Sequence, residues 1–149
     1  MKQPCLLTIT TCGKGFSATI LFLRLVFGGL LLTHGMEKLL AYSELSEVFI
    51  DPIGFGSEIS LMLVIFAEVV CSLLVILGFF FRLSLLPIIF SLFTAFMYVH
   101  DGSIAQGELA FSYLMVFMLL LITGPGNFAF DSILQPRYEC ECLCDENDV

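Results

Sequence analysis

Four long apolar stretches constrain this chain more than any other feature, because a helix needs about 20 mostly apolar residues to cross a hydrocarbon core about 30 Å thick. The first runs from about 16 to 41 and contains Arg24, with His34, Glu37 and Lys38 towards its end. The second, 57–80, has Glu68 as its only charge between Glu58 and Arg82. The third, 83–99, carries no charge, and its 17 residues reach roughly 26 Å, a shortfall that slight local thinning of the bilayer or burial by neighbouring helices accommodates. The fourth, 103–123, opens on Ser103 with Gln106 three residues on, the spacing of a capping box, and closes at Gly124-Pro125-Gly126. The expected fold is an all-α integral membrane protein, an antiparallel four-transmembrane-helix bundle with both termini on the same side. Residues 1–15 form a short N-terminal segment, 16–134 the helical domain and 135–149 an acidic cysteine-bearing tail.

Composition agrees with a chain dissolved in lipid. Only 13% of the 149 residues are charged and 58% are hydrophobic, against about 25% charged in soluble domains. Six Lys and Arg beside fourteen Asp and Glu, a net charge of -8, make nucleic acid a poor partner. The segment 42–56, with Glu44, Glu47, Asp51, Pro52 and two glycines, reads as a polar loop outside the bilayer core. Gly78, Arg82, Ser84 and Pro87 read as a tight connection, with Pro87 in the first turn of the third helix, so helices two and three are expected to be antiparallel neighbours. The segment 127–134 is too short to span and is expected to lie along the interface.

Basic residues are retained on the cytoplasmic side. One side of the bundle holds Lys2, Lys14, Arg82 and Arg137 and the other Lys38 alone, which places both termini in the cytoplasm and the protein in the cell membrane. A secretory signal peptide is the competing reading of the N-terminus, but Arg24 interrupts its apolar run. None of the six cysteines falls in an external loop; Cys71 reads as a packed residue of helix two. Cys140, Cys142 and Cys144 alternate with acidic neighbours in the tail, either incidental thiols or a soft-metal or thiol-exchange site, without the spacing of structural zinc.

Ionisable groups inside a bilayer are expensive, about 2.5–3.5 kcal/mol at mid-helix on insertion scales, so they should face the bundle and find partners. At about 100° per residue, Arg24, Gly28, Leu31, Gly35 and Lys38 share one face of helix one, with His34 at its flank. Gly28 and Gly35 allow close approach of another helix. Glu68, Ser72, Val75 and Arg82 share a face of helix two, the natural partner face. Arg24 either snorkels to the headgroups or is paired inside. Glu68 is either a structural ion-pair or hydrogen-bonded carboxyl, or the group that carries chemistry. His34, Glu37, Lys38, His100 and Glu108 gather towards the external side, a set that could bind a metal or relay protons; it lacks tight metal-ligand spacing, and His100 and Glu108 also suit plain interfacial and helix-start positions. Phosphate loops, nucleophile elbows and paired CxxC motifs are absent from the sequence.

The order and spacing of these residues resemble the DoxX family of small four-helix membrane proteins over roughly residues 20–132. Arg24, Gly28-Gly29 and His34-Gly35-Met36-Glu37-Lys38-Leu39 resemble its first-helix signature. Glu68, Leu73 to Gly78 and Arg82 resemble that of the second helix, and His100, Glu108, Gly124-Pro125-Gly126 and Asp131 complete the pattern. The tail after Tyr138 lies outside it. The resemblance implies a role around membrane redox chemistry, with some members serving thiosulfate:quinone oxidation and others thiol or oxidative stress; related four-helix proteins act in maturation or assembly. It implies a polar set of Arg24, His34, Lys38, Glu68, Arg82, His100 and Glu108, and leaves open whether that set binds quinone, relays protons or only locks the bundle. The first reading is a redox subunit in which the set holds a quinone headgroup, with Glu68 and His34 as proton-transfer groups and a membrane or redox-protein partner. No redox-centre motif is present in the sequence, so electrons would come from a partner or from the substrate. The alternative is a non-enzymatic assembly or scaffold protein whose polar network fixes one helix packing.

Overall fold

The computed structural model describes residues 14–52, 54–99, 102–126 and 128–130. Its elements are α1 (Lys14–Leu40), a single-turn α2 (Tyr42–Leu45), α3 (Ser57–Leu77), α4 (Phe81–Val99) and α5 (Ile104–Thr123). Among the described residues, α1, α3, α4 and α5 are each long and apolar enough to cross a membrane. Their outer faces are also apolar: Phe22, Leu25, Met62, Leu73, Leu86 and Leu119 are all exposed. Water would not tolerate so much uncovered hydrocarbon, whereas lipid requires it. The chain is a multi-pass membrane protein.

α1 packs chiefly on α3, α3 on α4 and α4 on α5, and α5 touches α1 to close the bundle. The core runs through Leu31, Val75, Phe81, Leu85, Ile88, Tyr113, Phe117 and Leu120. Gly28 and Gly35 face α3 as their spacing predicts. A methyl group at Gly28 would lie 2.8 Å from the Ile76 side chain, and one at Gly35 would lie 2.8 Å from Cβ of Glu68. Cys71 is buried in the core.

α3 ends where Gly78 takes a left-handed φ of 73°. The Gly78 N–H donates to Val75 O at 3.1 Å and the Phe79 N–H to Leu74 O at 3.0 Å, the pair of bonds that closes a Schellman motif. Phe80 is left-handed as well, with φ 45°, so the chain reverses at once and α4 starts at Phe81, two residues before the sequence suggests. Two expectations change with this register. Pro87 lies in the helix interior rather than in its first turn, where its missing N–H leaves Leu83 O without its usual donor. Arg82 does not share a face with Glu68, because the left-handed turn stands between them. The span is 19 residues, about 28 Å.

At the start of α5, Ser103 is the N-cap, but its side chain makes no capping bond; Ser103 O instead accepts from the Gly107 N–H at 2.9 Å. The expected capping box is therefore not formed. Backbone closes the first turn, and the helix kinks at Gly107.

The first connection is more ordered than a polar loop needs to be. Asp51 accepts from the Gly54 N–H at 2.9 Å, the Gly56 N–H at 2.6 Å and the Ser60 hydroxyl at 2.7 Å. Ser57 donates its hydroxyl to Ser46 O at 2.7 Å. These bonds fold the connection back over the start of α3, with a carboxylate at that helix's positive end.

Candidate functional site: a buried ion pair at an intramembrane cavity

At Gly35 the absence of a side chain lets α1 and α3 approach closely, and Lys38 lies three residues further along the same face. That contact brings Lys38 Nζ onto Glu68 Oε1 as an ion pair. Glu68 is 5% exposed, and Lys38 is partly exposed. The second carboxylate oxygen, Oε2, is buried and has no hydrogen-bond partner among the described residues. A carboxylate holds about four acceptor positions. Leaving one oxygen buried without a donor costs about 1–3 kcal/mol or more.

Oε2 belongs to a side chain that lines a cavity of about 570 Å³. Its walls are the first half of α3, the second half of α4 and the folded connection, through residues such as Val48, Phe49, Ile50, Leu63, Phe90 and Val99. Lys38, Glu68, Ser60, Ser91, Thr94 and Tyr98 supply the polar atoms. Two π-helical turns, Phe66–Cys71 in α3 and Ala95–Val99 in α4, both contribute to the lining. Such a turn widens the helix and re-aims its side chains. The volume and the mostly apolar lining with a few convergent polar groups match small-molecule sites.

Arg24 forms a separate centre at the opposite end of the bundle. It is 0% exposed, which replaces snorkelling with burial. Nε donates to Val75 O at 2.9 Å, Nη2 to Ile76 O at 2.9 Å and Nη1 to Pro125 O at 2.8 Å, while the guanidinium lies 5.3 Å from the centre of the Phe81 ring. Val75 O and Ile76 O belong to the last turn of α3, the negative end of the helix dipole, where a cation is favoured, and Val75 O accepts from Arg24 as well as from the Gly78 N–H. One side chain thus binds α1 to the end of α3, to the turn after α5 and to α4.

The remaining expected residues scatter. His34 lies 3.8 Å from Glu37 and meets the edge of the buried Tyr113 ring at 6.2 Å between centres, so it faces α5 rather than the cavity. Arg82 is exposed near Gly124, and Glu108 is exposed on α5. His100, Cys140, Cys142 and Cys144 lie outside the described residues, as does most of 127–134, of which Ala129 packs beneath Gly78. Among the described residues no group of three or more His, Cys, Asp or Glu is gathered to hold a metal. The polar set is therefore divided: Lys38 with Glu68 at the cavity, Arg24 at the far end, His34 and Glu108 apart. Sequence reasoning overlooked Asp51, Ser60, Ser91, Thr94 and Tyr98. The signal available for Asp51 was the run Asp51-Pro52 with glycines at 54 and 56, a turn built around an acceptor side chain.

The family model described as DoxX matches residues 19–101, more than half of the chain. No curated protein and no solved structure gives a significant match.

Proposed function

The chain belongs to the DoxX family, and on that premise we propose that it is a cytoplasmic-membrane subunit of a redox-associated complex whose cavity holds the headgroup of a quinone, in the service of sulfur or thiol oxidation. The observation that carries this reading is the Lys38–Glu68 pair at one end of an apolar cavity, with Oε2 of Glu68 left over. The residues fit such a molecule. A ring and the start of a tail suit about 570 Å³ of mostly apolar space. Lys38 has N–H donors beyond the one used by Glu68 and would hold an acceptor oxygen. Glu68 would hold or take up a proton at the cavity wall, with its carboxylate held by Lys38. The connection tied down by Asp51 supplies part of the cavity wall. A bound quinone would supply two-electron, two-proton chemistry, with the electrons coming from a partner protein or substrate. The excess of basic residues at the Arg82 end supports a cytoplasmic placement of both termini.

Native mass spectrometry of the protein released gently from its own membrane, with lipid identification in the same run, tests this reading. The expected result is a retained prenylated quinone that is lost from a Lys38→Met variant. Retention of phospholipid alone with a non-redox membrane partner overturns it. That outcome belongs to the second reading, an assembly protein, which the structural use of Arg24 favours. Glu68→Gln separates the two further: turnover of the complex is abolished under the redox reading, whereas the assembly reading leaves complex formation and activity unchanged.

A further inference from the structure

We propose that the ligand enters this cavity head first from the middle of the bilayer, through a doorway between α3 and α4 framed by Leu63, Phe66 and Phe90, and that its tail stays outside in the lipid. The proposal rests on the quinone reading above and adds to it the route, the framing residues and the part of the ligand that the site does not read. The wall of the cavity is sorted by polarity. Of its four buried residues, Ser60, Ala67, Glu68 and Ser91, three are polar, whereas the exposed residues of the wall, among the described residues, are apolar except for Tyr98. Tyr98 stands one residue from the end of α4, near the membrane–water boundary where tyrosine is favoured. A polar floor behind an apolar rim suits a ligand that arrives from hydrocarbon with its polar end leading.

The doorway follows from how the two helices part. α4 packs on α3 chiefly along Phe66–Leu77; the start of α3, Ser57–Ile65, packs on α1 instead, and the end of α4, Ala95–Val99, packs on α5. The cavity lies where they have parted. Phe66 is the tenth of the 21 residues of α3 and Phe90 the tenth of the 19 of α4, so both stand near mid-membrane, about 15 Å from either surface of the hydrocarbon core. Both, with Leu63, line the cavity and are also exposed on the outside of the bundle. The depth selects the occupant. A phospholipid keeps its charged head at the surface, and drawing that head to mid-membrane is expensive. A quinone head is small, neutral and an acceptor only. Inside, the Lys38 ammonium and the Ser91 hydroxyl supply donors for its oxygens, while the Ser60 proton is committed to Asp51 Oδ1 at 2.7 Å and that of Thr94 to Ser91 O at 2.8 Å. A tail lying in the doorway leaves lipid for Leu and Phe side chains that are equally apolar, so its length neither adds affinity nor removes it.

The test compares a decyl-tailed benzoquinone with the same head on a prenyl tail too large for about 570 Å³. Each is equilibrated with phosphatidylcholine nanodiscs that carry the protein and with empty ones, and bound ligand is measured by chromatography against its concentration in the lipid. The two are expected to bind within about threefold of each other. The route is read separately. The chain has no Trp, so Phe90→Trp sets a single indole in the doorway and Phe22→Trp sets one on the lipid-facing side of α1. Quinones quench indole fluorescence on contact. Quenching is expected to saturate in step with binding in Phe90→Trp and to rise without saturation in Phe22→Trp. A long tail that weakens binding about tenfold or more overturns the doorway, because the tail is then confined with the head. Unsaturable quenching in a Phe90→Trp protein that still binds saturably overturns it as well, and both results leave the quinone reading standing. The tail comparison needs no variant, so it decides the matter even if Phe90→Trp does not fold. No saturable binding of either quinone overturns the quinone reading itself and leaves the cavity to phospholipid.

Discussion

Arg24 and Glu68 are two buried charges answered by different means. Arg24 is surrounded by backbone carbonyls of Val75, Ile76 and Pro125, fixed dipoles that ask for a planar fork of donors. Arg24→Met removes all three of these hydrogen bonds from an apolar interior, leaving Val75 O with the Gly78 N–H, and is expected to cost about 3 kcal/mol or more, read as a fall in the thermal midpoint in detergent. Arg24→Lys recovers only part of this, because a point charge cannot span the three acceptors. Glu68 is answered by one cation. Lys38→Met leaves a buried carboxylate unpaired and is expected to destabilise by about 3–5 kcal/mol, whereas the double variant Lys38→Met/Glu68→Gln regains most of the loss. A double variant no more stable than Lys38→Met would show that the pair is not energetically coupled. The helical face joining Arg24, Gly28, Gly35 and Lys38 was legible from spacing alone. What Arg24 binds was not, because backbone carbonyls carry no residue letter, and their availability depends on where α3 happens to end.

At the scale of the helix, the close approach of α1 to α3 beside the ion pair is made by a residue without a side chain. Gly35→Ala would set a methyl group 2.8 Å from Cβ and 3.0 Å from the backbone carbon of Glu68, so α1 must move away from α3. The expected cost is about 1–3 kcal/mol, together with loosening of the Lys38–Glu68 pair. Gly29→Ala meets nothing within 4 Å and is expected to be neutral or to stabilise by up to about 1 kcal/mol. Equal effects of the two in thermal unfolding would remove the close approach as an explanation. The four spans were readable because lipid demands long apolar runs, and Gly124-Pro125 ends α5 as its residues suggest. The register of α4 was not readable: it depends on Phe80 adopting a left-handed backbone that its residue type disfavours. The cavity was equally hidden. It arises where two π-turns and a folded connection from distant parts of the chain come together, and no local pattern marks a π-turn in advance.

Across the whole molecule, the two polar centres lie at opposite ends, one closed and one hollow. The proposed orientation places the hollow end outside the cytoplasm. A single thiol introduced by Glu47→Cys in a cysteine-free background should therefore react with a membrane-impermeant maleimide in intact cells, and one introduced by Arg82→Cys should react only after lysis. The reverse pattern would invert the bundle. At the closed end Arg24 grips α1, α3, the turn after α5 and the Phe81 ring of α4; at the hollow end the helices are separated by about 570 Å³. Such a bundle has the build of a clothes peg, with its spring at Arg24 and its jaws at the cavity. The end that could part is the hollow one, because three hydrogen bonds and a ring contact hold the other. Under the proposed quinone reading, a vesicle that carries this protein is expected to bind quinone while keeping its proton gradient.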